Sequence, residues 1–273
     1  MIDLGLLSPV LASDAVDPKA VGDAVMHHIT DGTVIDLFGL VHVPIPEPML
    51  EWGITKLVVY QWVCAAGVVA FFLWVARKRT AGTPTGLYNA VEAILLGVKA
   101  QIADPLLGEH DSPKWMPFLW TVFFVIFANN ALGLIPMGGS STAHLKVTGT
   151  YALMTLALVH LVALSHGPVG YFHALVPSVP WWMWPLMFVL EQFGYVAKAI
   201  ALAVRLFANM VAGHLVFLTI LSFILMFGEI AAIVVLPACV GLYLMEIFVA
   251  VLQAFVFTFL TTVFIGGVLH PDH

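Results

Sequence analysis

The sequence predicts an all-α membrane protein: about five membrane-crossing helices plus one amphipathic surface helix, with the last two helices long and strongly tilted. Three observations lead there. Of the 273 residues, 61% are hydrophobic and only 10% are charged, against about a quarter charged in a soluble domain. The apolar residues gather in runs long enough to span hydrocarbon. The few charged residues inside the last two runs recur at helical spacing rather than at random.

Residues 1–51 are comparatively polar and acidic, with Lys19 as their only Lys or Arg. They read as a polar extracytoplasmic segment, without the basic start and apolar core of a cleaved signal peptide. Residues 52–273 read as a single transmembrane domain. Its first span is LVVYQWVCAAGVVAFFLWVA, residues 57–76, closed by Arg77, Lys78 and Arg79. Basic residues are retained on the cytoplasmic side, so this cluster places the N-terminus outside.

Residues 86–110 mix apolar spacing with Glu92, Lys99 and Asp104. That pattern is too polar to span and fits an amphipathic helix on the cytoplasmic surface. A second span follows at 116–135 and a third at 147–165. Trp181, Trp182 and Trp184 form an interfacial aromatic belt. Pro168, Pro177, Pro180 and Pro185 obscure the start of the fourth helix.

From Pro185 the chain is apolar almost to its end, with a break expected near Gly228 and Glu229. Helices over about 186–227 and 230–268 would each be about 60 Å long, in a hydrocarbon layer about 30 Å thick. They must tilt, kink or run partly along the membrane. An odd number of spans puts the C-terminus in the cytoplasm.

Charge inside hydrocarbon costs several kcal/mol, about 2.5–3.5 on insertion scales, so charged residues there imply partners, water or a task. Glu191, Lys198 and Arg205 are spaced by seven, and Asn209 lies four beyond Arg205. These spacings keep all four near one helix face, and Glu191 to Arg205 covers about 21 Å of axis. Glu246 and Gln253 make a matching stripe on the last helix. Arg205 cannot realistically deprotonate, and no carboxylate occupies a neighbouring helical position, so its counter-charge must come from another helix or another chain.

His214 and Glu246 both exchange protons readily, and together they suit a proton path. Asn129 and Asn130 are polar groups in the second span that could reach the same crevice. Each assignment has a plainer reading beside it. The stripe could fix helix packing through internal hydrogen bonds, Lys198 could snorkel to the interface, and Glu229 could simply reach it. Cys64 and Cys239 sit in apolar runs as small hydrophobes. The remaining histidines show no metal-ligand spacing, and no cofactor motif or phosphate-binding loop is present. Net charge is −6 with no basic stretch long enough to suggest nucleic-acid binding.

The core KAIALAVRLFANMVAGH, with FANNALGLIP in the second span and LQAFVFTFLTTVFI near the end, closely resembles subunit a of the membrane sector of rotary ATP synthases. The resemblance runs from about residue 25 to the end. It implies an ion-translocating stator subunit, not an enzyme by itself, with nucleotide chemistry in partner subunits. Arg205 matches the essential arginine that faces the carboxylate of each passing rotor-ring subunit. Asn209, His214, Glu246, Gln253 and Asn130 match the outer half-channel, Asn130 being preferred over Asn129. Glu191 matches the cytoplasmic one.

Many bacterial relatives carry the carboxylate where this chain has His214 and the histidine where it has Glu246, so the pair is exchanged here. Gly194 replaces a frequent small hydroxyl residue, which shifts the cytoplasmic path toward water or Tyr195. The implied partners are the rotor ring, peripheral-stalk b-type subunits, the remaining synthase subunits and the lipid bilayer, in a bacterial plasma membrane. The transported ion is a proton or a sodium ion. The alternative from the residues alone is an independent secondary transporter, for which internal symmetry is missing. An intramembrane enzyme using His214 and Glu246 would need a third ligand.

Overall fold

The computed structural model describes residues 34–37, 41–45, 55–77, 86–134, 141–176 and 179–270. Most of the acidic segment expected over 1–51 lies outside these, as do Lys78 and Arg79 of the basic cluster and the side chain of Glu229. Within that segment, Val34–Leu37 (β1) and Val41–Pro44 (β2) pair antiparallel, Val34 opposite Pro44 and Leu37 opposite Val41. This small hairpin is an addition to the expected all-helical architecture. All other regular structure among the described residues is helical.

The helices are α1 (Lys56–Arg77), α2 (Leu87–Val98), α3 (Asp104–Leu134), α4 (Leu145–Ser165), α5 (Gly167–Leu175), α6 (Trp184–Phe227) and α7 (Glu229–Leu269). Among the described residues five helices are long and apolar enough to cross a membrane, so the chain is an integral, multi-pass membrane protein. With 44 and 41 residues, α6 and α7 each measure roughly 60–65 Å at 1.5 Å per residue, twice the hydrocarbon thickness. Between them Gly228 takes φ 75° and donates its N–H to the Ile224 carbonyl at 3.0 Å. Only glycine adopts that left-handed turn at little cost, which is why the break falls there. The fourth span starts at Trp184, after a short 3₁₀ turn over Trp181–Met183. Trp181 and Trp182 stay exposed.

The segment expected as one surface helix over 86–110 is more broken than its pattern implied. A π-helical stretch, Lys99–Ala103, follows α2 and leads into α3. Four residues into α3 the backbone turns at Gly108 (φ 73°, ψ 161°), a region essentially closed to side chains. Helix then resumes and runs into the second span, so no loop separates the two. Lys99 meets Asp104 at 3.5 Å, and Ser112 donates to Asp104 at 2.6 Å across the bend. Trp120 reaches back to the Leu95 carbonyl at 3.2 Å. The short α5, started by Gly167 and Pro168, was hidden among the prolines of 166–190.

The chain divides into two compact units, each made of several segments. One holds Met1–Gly67, Phe127–Val147 and Leu206–Leu252; the other holds Val68–Ile126, Thr148–Arg205 and Gln253–His273. In the second unit, Val159, Val162 and Ala163 of α4 bury against Ala174 and Leu175 of α5 and Phe264 and Val268 of α7. A smaller cluster, Ala152, Ala199 and Ala203, joins α4 to α6 through side chains that let the helices approach closely.

Candidate functional site

The second unit contains Glu191, Tyr195, Lys198 and Arg205 of α6 and Gln253 of α7. Lys198 and Arg205 are exposed, and Glu191 and Tyr195 are half-buried. Arg205 emerges through an apolar surface of exposed Ile200, Ala201, Val204 and Ala208. Among the described residues it makes no ion pair. A guanidinium is weakly hydrated for a cation, yet it still needs an acceptor once water is excluded.

The Lys198 ammonium lies 5.4 Å from the centre of the Tyr195 ring and 5.6 Å from that of Phe264. Aromatic faces stabilise a cation in that position, so Lys198 is held by rings rather than by a carboxylate. Gln253 is buried, and its Nε2 has no hydrogen-bond partner among the described residues.

The first unit contains Asn130 of α3, Asn209 and His214 of α6, and Glu246 of α7. Glu246 leans directly against Gly213, so that a Cβ on that glycine would collide with carboxylate Oε1. Gly213 precedes His214, and this close approach brings the exchanged acid beside the turn of α6 that carries the imidazole. Oε1 of Glu246 is enclosed and has no hydrogen-bond partner among the described residues.

The two asparagines of the second span separate cleanly. Ser141 donates its hydroxyl to Asn129 Oδ1 at 2.6 Å in a fully buried contact. Asn130 is equally buried, at 2% exposure, but neither of its amide atoms has a partner among the described residues. Buried amides are rarely left so, and water is the simplest group to complete them.

Two features lay beyond sequence reasoning. Gln192, beside Glu191, buries an Nε2 with no partner among the described residues. His160 of α4 pairs with Tyr171 of α5: Tyr171 Oη lies 3.3 Å from His160 Nδ1. A lone histidine in an apolar run carried no signal that would single it out. Among the described residues no three His, Cys, Asp or Glu side chains gather as a metal site would require.

Comparison with known proteins adds an independent line. The family described as ATP synthase A chain matches residues 58–266. A relative from Chlorobium luteolum named ATP synthase subunit a 2 is 40% identical over 261 residues, 92% of this chain and 76% of its own. The ATP synthase subunit a of Pelodictyon phaeoclathratiforme is 39% identical over 275 residues, covering 96% and 81%. One from Anaeromyxobacter dehalogenans is 36% identical over 280 residues, covering 93% and 72%. Matches of this extent, across the helices that carry the polar stripe, show that the chain belongs to the ATP synthase A chain family.

Proposed function

We propose that this chain is the stator subunit that conducts ions through the membrane sector of a rotary ATP synthase, with Arg205 between two offset half-channels. Family membership supports a membrane subunit that works with the other ATP synthase subunits. The observation that carries the finer reading is Arg205, a permanent cation on an apolar, exposed helix face with no ion-pair partner among the described residues. In this reading a second chain provides its counter-charge. The small side chains of Ala201, Ala208 and Ala212 flank it and let another helix approach. A ring of rotor subunits, each bearing a membrane carboxylate, fits that requirement.

In this reading Asn130, Asn209, His214, Glu246 and Gln253 supply the outer half-channel. They offer one acid, one imidazole and amides, of which Asn130 and Gln253 bury atoms with no partner among the described residues, a setting that suits ordered water. A proton passing them neutralises a rotor carboxylate, which then enters lipid at far lower cost than the charged form. On the other side, Glu191 and Tyr195 receive the proton as the carboxylate ionises near Arg205. The arginine favours the ionised carboxylate and blocks a direct leak between the half-channels. Flow therefore requires rotation.

The same reading places α2 and the bend at Gly108 on the cytoplasmic surface, and α6 and α7 tilted alongside the ring. The N-terminus is then outside and the C-terminus in the cytoplasm of a bacterial inner membrane. Nucleotide chemistry lies in partner subunits, and b-type stalk subunits hold the stator.

The test is ATP-driven acidification of inverted membrane vesicles carrying Arg205→Ala. Loss of pumping in a fully assembled complex is the expected result. Near-normal pumping would show that the stripe is packing and that Arg205 does not couple flow to rotation.

A further inference from the structure

We infer that His160, positioned by Tyr171, is a proton-exchanging residue of the half-channel that contains Glu191 and Tyr195. The inference rests on the proposed function and extends it to two residues on other helices. Tyr171 Oη and His160 Nδ1 are 3.3 Å apart. The His160 ring meets the Tyr195 ring edge-on at 6.4 Å between centres. Glu191 lies one turn before Tyr195 on α6, so the four residues lie along three helices of one compact unit.

These residues are built on a fixed frame. Val159, Val162 and Ala163 flank His160 on α4 and bury against Ala174 and Leu175, which follow Tyr171 on α5. Tyr171 and Tyr195 themselves pack on that cluster, with Phe264 6.2 Å from Tyr195 between ring centres. Nδ1 is engaged by Tyr171, and His160 is half-buried rather than fully enclosed.

The chemistry follows from the tautomer in which Nδ1–H donates to the Tyr171 oxygen. Nε2 then carries the lone pair, as in other histidines whose second nitrogen is fixed by a hydrogen bond. A proton from water binds Nε2 and forms the imidazolium. The same Nε2–H bond then breaks as the proton passes on toward Tyr195 and Glu191. Tyr171 accepts the Nδ1–H bond throughout, and one proton is released for each one bound. Flow in the opposite direction reverses these steps.

The charged and titratable groups around His160 are few. On α4, His166 donates from Nδ1 to the Val162 carbonyl, 3.0 Å away. On α5, besides Tyr171, His173 packs its ring on Trp184 at 4.8 Å. From α6 come Glu191, Tyr195 and Lys198, with Lys198 drawn over Tyr195 and Phe264. The α7 and α3 residues at this cluster, Phe264 and Trp115, carry no charge.

The experiment uses the assembled complex in inverted vesicles, where ATP-driven pumping draws protons from the external, formerly cytoplasmic, medium. Pumping is recorded from about pH 6 to about pH 9 for wild type, His160→Gln, Tyr171→Phe and Arg205→Ala, a range that runs from the ordinary imidazole titration into alkaline medium. Gln keeps a hydrogen-bonding group toward Tyr171 but binds no proton. His160→Gln should match wild type at the acid end and fall roughly threefold or more below it at the alkaline end, where proton capture limits the rate. Tyr171→Phe should show a weaker loss of the same shape.

A His160→Gln profile that superimposes on wild type would overturn the inference. A loss equal at every pH would also overturn it, since it would mark a packing role. The Arg205→Ala control separates the two readings: if that variant pumps, the proposed function fails regardless of His160. If it does not pump and His160→Gln is normal, only the present inference fails.

Discussion

The carboxylate of Glu246 lies against the bare Cα of Gly213, so closely that no side chain fits between them. The contact joins α6 to α7 at the residue before His214. The atom in the way is the end of a flexible side chain, not backbone, so Gly213→Ala should be accommodated by swinging the carboxylate aside. The expected result is normal assembly with pumping lowered roughly tenfold, because displacing a proton-transfer group by even about 1 Å is costly. Vesicle acidification compared with the amount of assembled complex checks it. Unchanged pumping would remove Glu246 from the path.

The exchanged pair gives a second prediction. If His214 and Glu246 work together, His214→Glu combined with Glu246→His should pump better than either single variant, because the acid and the imidazole are both restored. Interaction terms between coupled residues reach about 0.5–3 kcal/mol, enough to separate double from single variants in pumping rate. A double variant no better than the worse single would show that the two side chains are independent.

The adjacent asparagines should respond differently. Ser141→Ala deletes the buried 2.6 Å bond to Asn129 and should cost about 1 kcal/mol of stability, seen as a lower unfolding temperature of the solubilised protein. Asn130→Leu removes amide atoms that have no partner among the described residues. It should leave that temperature nearly unchanged and reduce pumping. The opposite pattern would reverse the roles assigned to the two residues.

Much of the architecture was legible because the physics acting on it is local. Apolar run length fixed the number of spans, and a glycine followed by an acid in a long apolar stretch marked the end of α6. The seven-residue spacing of Glu191, Lys198 and Arg205 was legible for the same reason. What escaped depends on contacts distant in sequence. Nothing in the residues 99–103 announces a π-helical stretch, and Gly108 looks like any glycine in a mixed segment. His160 becomes notable only once α5, a helix hidden among prolines, brings Tyr171 to it. The preference for Asn130 over Asn129 came from resemblance. The Ser141 hydroxyl bonds Asn129, a pairing the sequence could not assign to either neighbour.

Gly266 and Gly267 near the end of α7 provide the sharpest test of packing, because they are adjacent and chemically identical. A Cβ on Gly266 would sit 2.6 Å from the Leu106 carbonyl oxygen, whereas one on Gly267 would meet nothing within 4 Å. The Leu106 oxygen is backbone, at the helix end created by the bend at Gly108, and cannot swing away as the Glu246 carboxylate can. One turn further on, His270 Nε2 lies 3.1 Å from the Leu107 carbonyl and 3.4 Å from Asp111 Oδ2. The end of α7 is thus seated on carbonyls that a helix terminus leaves without intrahelical partners. Gly266→Ala must push α7 off this seat and should lower stability by about 1–3 kcal/mol, the usual cost of overpacking. Gly267→Ala should be neutral or stabilising by up to about 1 kcal/mol, since alanine is the better helix former. Unfolding temperatures of the two purified variants decide the matter. Equal shifts would mean that α7 does not pack on the bend as described, whereas a drop confined to Gly266→Ala would establish the seat.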